Sequence, residues 1–144
     1  MQNNLKLIDK LNHIKHLFLL GKSDGKLTSS EIKIISEISK KHQLSLMEVS
    51  FVLNENHEIP FTLPQKFTDR LTVLYNMVTL MVSDFNIHKK EKEMCLDLAR
   101  KFEFNPQIID EMIEDILNFI IDGKDCDQVI NYLLKYAHPI QSLN

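Results

Sequence analysis

Four carboxylates at two matched spacings have the most chemistry to offer in this chain. Asp24 and Glu31 stand seven positions apart in "LFLLGKSDGKLTSSEIKIISEISKKHQLS". Asp84 and Glu91 stand at the same spacing, sixty residues on, in "TLMVSDFNIHKKEKEMCLDLARKFEFN". Ser23 and Ser83, Leu20 and Leu80, and Lys41 and Lys101 also match, as do the apolar slots Leu27 and Ile87, Ile34 and Met94, Ile38 and Leu98, and Leu44 and Phe104. Such self-similarity predicts two copies of one supersecondary unit. Each Asp falls just past an apolar helix, where the helix dipole disfavours a negative charge, and each Glu falls in the first turn of the next helix, where the dipole favours it. The turn folds the two toward each other, and a hard cation bound through oxygen would use both. If the two units pack about a pseudo-twofold axis, all four carboxylates converge. Two such charges ~6 Å apart repel by roughly 3 kcal/mol at an effective dielectric of ~20, which a cation or added lysines must offset.

Local structure competes for the same residues. Thr28 and Glu31 have the spacing of a capping box, and Asp24-Gly25 is a turn dipeptide. Glu91 follows His88, a poor N-cap, so capping accounts for it less well. An EF-hand loop ending at Glu31 would place Leu20 and Lys22 at its first and third ligand positions, and neither coordinates a cation. Leu80 and Val82 fail in the same way in the second copy.

The elements that must position these residues are helical. Leu7, Leu11, Ile14 and Phe18 form one face of a first helix. Thr28 opens a second, with Ile34, Ile35 and Ile38 inward. Ser45 and Glu48 open a short third, with Val49, Val52 and Leu53 inward. The segment from Asn56 to about Leu63 loses periodicity and separates the copies. Pro64 suits the first turn of a fourth helix, whose stripe is Leu71, Leu74, Tyr75, Val78 and Met81. A fifth runs from about His88 to Phe102, with Cys95, Leu98 and Phe102 inward. Asn105-Pro106 opens a sixth carrying Ile109, Met112, Ile113, Ile116 and Ile120. Gly123 ends it, and a seventh helix carries Val129, Ile130, Leu133 and Leu134. No stretch alternates as a half-buried strand does.

Composition narrows the function classes. The 144 residues suffice for one domain with a real core. A net charge of −3 with scattered lysines gives no basic stripe for nucleic acid. Cys95 and Cys126 form no C-x-x-C motif and read as free thiols of a cytoplasmic protein. The N-terminal segment is an amphipathic helix rather than a signal peptide, and no apolar run approaches the roughly 20 residues of a membrane span. No phosphate-binding glycine loop, G-x-S-x-G motif or Cys–His arrangement occurs. His13 and His16 have a chelating spacing but no partner ligands in register, and read as rim histidines; His42, His57, His88 and His138 form no cluster in the sequence. Met77, Met81, Met94 and Met112 read as core filler. The connection "NHEIPFTLPQKF" reads as a lid over the core, or else as a docking surface for another protein.

The motif "KSDGKLTSSE" and its echo "VSDFNIHKKE" resemble the TerB-like tellurite-resistance family, from about Ile14 to the sixth helix. Phe85 stands where the pattern has glycine, so the second motif departs from it. The resemblance implies a compact all-helical domain of two related halves. It implies a divalent-metal site, carried over here as Asp24, Glu31, Asp84 and Glu91. It implies a module associated with tellurite and general stress resistance, and no reaction.

The sequence therefore predicts one all-α domain of about seven helices, with two repeat-related hairpins in halves of about 5–55 and 64–122 and a C-terminal helix at about 125–137. The expected function is non-enzymatic binding of a divalent cation, with calcium, magnesium, manganese and zinc not distinguished, no organic cofactor and no catalytic residue. The alternative is a helical protein–protein interaction scaffold in which the acids are only caps and turns. An unidentified protein partner is expected; nucleic acid and membrane insertion are not.

Overall fold

Helix starts in this chain are set by side chains that satisfy the free amides of a first turn. Thr28, Ser45 and Asp125 each accept a hydrogen bond from the backbone three residues on, and Glu31, Glu48 and Gln128 reach back to the cap residue's own N–H. Ends are set by left-handed residues. Gln43 (φ 60°) and Glu103 (φ 65°) take that conformation despite their side chains. Leu44 N–H then bonds Ser39 O at 3.1 Å and Phe104 N–H bonds Ala99 O at 3.2 Å, satisfying carbonyls the last turn leaves free. Gly123 ends a third helix with φ 84°, as its position predicts.

The computed structural model describes residues 6–23, 25–54, 57–83 and 87–137. Among these, seven α-helices follow one another: α1 (Leu7–Lys22), α2 (Ser29–Lys41), α3 (Leu46–Leu53), α4 (Phe67–Val82), α5 (Lys89–Lys101), α6 (Ile109–Ile121) and α7 (Cys126–Leu133), with a 3₁₀ turn at Leu134–Tyr136. No strand occurs among the described residues, and none of their helices is long and apolar enough to cross a membrane. The all-α reading holds.

α4 is the central helix and packs against α1, α5, α6 and α7. It buries Leu71, Val73, Leu74, Met77, Val78, Leu80 and Met81, more than one stripe, as a helix covered on most sides must. α1 packs on α4 through a core that includes Ile14, Leu17 and Leu20, each with no exposed surface. Met77, Met81 and Met112 are core residues, as read. Burying one such side chain stabilises the fold by roughly 1.5–3 kcal/mol.

Three boundaries differ from expectation. Leu7 is 50% exposed, because Asn12 and His13 take inward positions of α1 and turn the stripe away from Leu7. Pro64 precedes α4 rather than opening it, and its carbonyl accepts from Arg70 Nε at 2.6 Å. Asn105-Pro106 begins a turn and not the helix: Asn105 Oδ1 accepts from Gln107 N–H at 3.0 Å, and α6 starts at Ile109.

The connection between α3 and α4 packs as a lid. Asn12, on α1, donates from Nδ2 to Pro60 O at 2.9 Å and to Thr62 Oγ1 at 3.2 Å. Thr62 donates its hydroxyl to Asp9, and Ile59 and Leu63 pack against the core.

Candidate functional site

Two of the four candidate metal ligands can be placed. Asp24 and Asp84 lie outside the described residues. Glu31 and Glu91 occupy the third position of α2 and α5, and each is 1% exposed. Glu31 Oε1 accepts from Thr28 N–H at 2.8 Å while Glu31 N–H donates to Thr28 Oγ1 at 3.1 Å. Its carboxyl carbon lies 3.7 Å from where a Cβ on Gly21 would stand, so the last turn of α1 covers it. Glu91 Oε1 accepts from His88 N–H at 3.3 Å. The expectation that capping leaves Glu91 unexplained is corrected: the backbone N–H needs no good N-cap side chain to donate. No group of three His, Cys, Asp or Glu placed to hold a metal ion occurs among the described residues.

The histidines depart from the rim reading. His13 is 2% exposed, and His16 Nε2 is buried with no hydrogen-bond partner. His13 Nδ1 lies 3.0 Å from His42 Nε2, and Asn76 Nδ2 lies 3.1 Å from His13 Nε2. With the Asn76 amide donating, His13 Nε2 accepts, His13 Nδ1–H donates to His42 Nε2, and His42 carries its own proton on Nδ1. Such a chain needs neutral imidazoles. Burial, then the neighbouring His42 and His16, hold His13 well below its ordinary value. Burial, then Lys101, lowers His16 to about 4. Burial, then Lys10 and Lys41, lowers His42. The sequence hides this pairing because His13 and His42 are far apart in the chain, and only the packing of α1 beside the end of α2 joins them.

The thiols are free, and neither is poised as a nucleophile. Burial and then Glu91 push Cys95 up to about 12. Burial and then Asp127 push Cys126 up to about 11. A thiol attacks as the thiolate, which neither forms near neutral pH.

The surface between α2 and α3 was not singled out by the sequence. Both helices pack on α1. The gap between them is a groove of about 170 Å³, with Phe18 and Ile35 among its lining and Ile32, Leu46, Val49 and Leu53 along it. Ser36, Ser39 and Lys40 are its polar residues, and no carboxylate lines it. Leu46 is 87% and Ile32 53% exposed. Single exposed apolar residues are ordinary, but two such residues along one apolar groove mark a binding surface. A signal was present in the sequence: α3 reads "LMEVSFVL", with six apolar residues of eight, more than one buried face can hold.

No protein-family model, no curated protein and no solved structure matches this chain.

Proposed function

We propose that this protein is a non-enzymatic helical interaction module whose docking surface is the α2–α3 groove. Ile32 and Leu46, both exposed and both lining that groove, carry the reading. Leaving this much apolar surface in water stabilises nothing within the chain, whereas covering it on a partner gains about 25 cal/mol per Å². The engagement of Glu31 and Glu91 as caps supports the same reading, since both carboxylates have a structural task without a metal. Retention of cell proteins on the purified chain tests it. Wild type and a Glu93→Arg control should retain the same discrete protein, and Leu46→Asp should lose it with its circular dichroism unchanged. Equal retention by all three would refute the groove as the docking surface.

A second reading is favoured by the equal burial of Glu31 and Glu91 at matched positions. In it, the TerB-like resemblance extends to function, and a divalent cation binds through Asp24, Glu31, Asp84 and Glu91 in a stress-response module. Melting after EDTA treatment, with calcium, magnesium, manganese or zinc added back, tests it. Cation at 100 times its dissociation constant should add roughly 2.7 kcal/mol, or about 5–10 °C, and Asp24→Asn should abolish the gain. No shift with any ion refutes it.

A further inference from the structure

We propose that His13 and His42 form an acid-released clasp, which holds the end of α2 against α1 and α4 at neutral pH and frees that end on proton uptake. The proposal is independent of the docking reading.

The clasp lies at a junction of three helices. His42 is the C-cap of α2, His13 belongs to α1 and Asn76 to α4. The two rings meet edge to face with centroids 4.9 Å apart. Contacts of 3.0 Å between the rings and 3.1 Å to Asn76 tie the three helices together.

The sixty-residue offset shows what sets this junction apart. It pairs His42 with Phe102, the C-cap of α5, and His13 with Val73 on α4. Phe102 and Val73 are both buried. The two helix ends are otherwise alike: Gln43 and Glu103 both turn left-handed, and Leu44 and Phe104 both bond back into the helix. One half closes this end with apolar side chains, the other with two titratable rings.

Counting protons shows why acid opens it. With Asn76 donating to His13 Nε2, His13 Nδ1–H donates to His42 Nε2. A proton on His42 makes its Nε2 a second donor in that contact. The chain accepts it only by reversing, with His13 Nε2–H donating to a turned Asn76 amide. A second proton leaves two N–H groups and two positive charges face to face at 3.0 Å. The surroundings give little relief. Burial disfavours a charge on either ring, and so do His42 and His16 for His13, and Lys10 and Lys41 for His42. Asp9 and Asp69 line the same cavity of about 230 Å³ as the two rings. Asp9 already accepts the Thr62 hydroxyl, and burial favours the neutral form of Asp69 despite the nearby Lys66.

The helix packing keeps the release local. α2 packs on α1 and buries Ile35 and Ile38, while its other flank borders the groove. α4 is held by α5, α6 and α7 as well as by α1. Once the end of α2 is free, both rings reach water and ionise near their ordinary value. Each proton then favours the open end by up to about tenfold per pH unit below about 6.5.

Amide hydrogen exchange on the full chain, corrected for its intrinsic pH dependence, tests this between about pH 7.5 and about pH 5.5. Opening of residues 38–44, which include the Leu44 N–H bonded to Ser39 O, should rise by at least about tenfold, with α4 still protected. His16→Phe should leave that rise in place. The double variant His13→Val, His42→Phe, built from the residues of the other half, should abolish it. Should the double variant not fold, His42→Gln, which keeps an acceptor for His13 Nδ1–H, should still reduce the rise. No rise in wild type, an equal rise throughout α4, an undiminished rise in the His42 variants, or one that His16→Phe removes overturns the proposal. So does imidazole nitrogen NMR that finds both rings ionised while residues 38–44 stay protected.

Discussion

At the scale of single residues, the acidic pairs and the histidines define what can be tested. Glu31→Ala removes a capping-box acceptor and should cost about 1–2 kcal/mol in urea unfolding, while Glu31→Gln, which keeps an acceptor oxygen, should cost well under 1 kcal/mol. Equal losses for both variants would mean that the charge, and not the hydrogen bond, is what the fold uses. The histidines set an acid limit. His13, His16 and His42 all have folded values below that of the unfolded chain, so below about pH 6.5 the unfolded chain binds more protons and stability falls. For His16 the loss continues until about pH 4 and is on the order of 3 kcal/mol, being largely buried. His16→Phe should flatten the decline between those values; an unchanged pH profile in that variant would show that His16 is not held neutral. The pattern of residues announced Glu31 and the box at Thr28, because capping is local and needs only three positions; it missed the matching backbone contact of Glu91, because His88 is a poor N-cap residue. It could not announce the His13–His42 contact, which depends on two helices meeting.

At the scale of elements, the chain was most legible where helix signals are strongest. The stripes on α4, α5 and α7 and the caps at Thr28, Ser45 and Gly123 were readable from spacing, since each follows from 3.6-residue periodicity or from an unsatisfied first or last turn. The starts of α4 and α6 were not. Pro64 and Pro106 fit a helix's first turn, yet their neighbours are drawn into tertiary and turn bonds, through Arg70 and Asn105 Oδ1. The left-handed residues after α2 and α5 offer a direct check. Gln43→Gly and Glu103→Gly should each raise stability by up to about 1 kcal/mol, since glycine adopts positive φ without steric cost. A loss in both variants would contradict the left-handed geometry. The lid supplies another. Asn12→Ala removes the donor to Pro60 O and Thr62, so it should cost about 1–3 kcal/mol and hasten proteolysis of the segment between α3 and α4. Unchanged cleavage there would mean that the apolar contacts of Ile59 and Leu63 suffice to hold it.

At the scale of the whole molecule, the two stretches that share a pattern differ in how they are finished. α4, α5, α6 and α7 close around one another, whereas α2 and α3 lean on α1 and leave an apolar groove between them. The sequence carried the raw material of that difference in Ile32 and Ser36 against Lys92 and Leu96. Its meaning became readable only once the packing of α2 and α3 on α1 was known. If the exposed cluster serves binding and not stability, the triple variant Ile32→Ser, Leu46→Ser, Met47→Ser should unfold within about 0.5 kcal/mol per site of wild type. A loss of several kcal/mol would place those residues in the core. The central claim is that the groove holds a partner in the cell, and the most direct measurement is site-specific photo-crosslinking in living cells with the reactive group at position 32, in the groove, and, as control, at position 93. One discrete adduct is expected from position 32, absent from position 93 and lost with Leu46→Asp. Adducts equal at both positions, or none at 32, would contradict it.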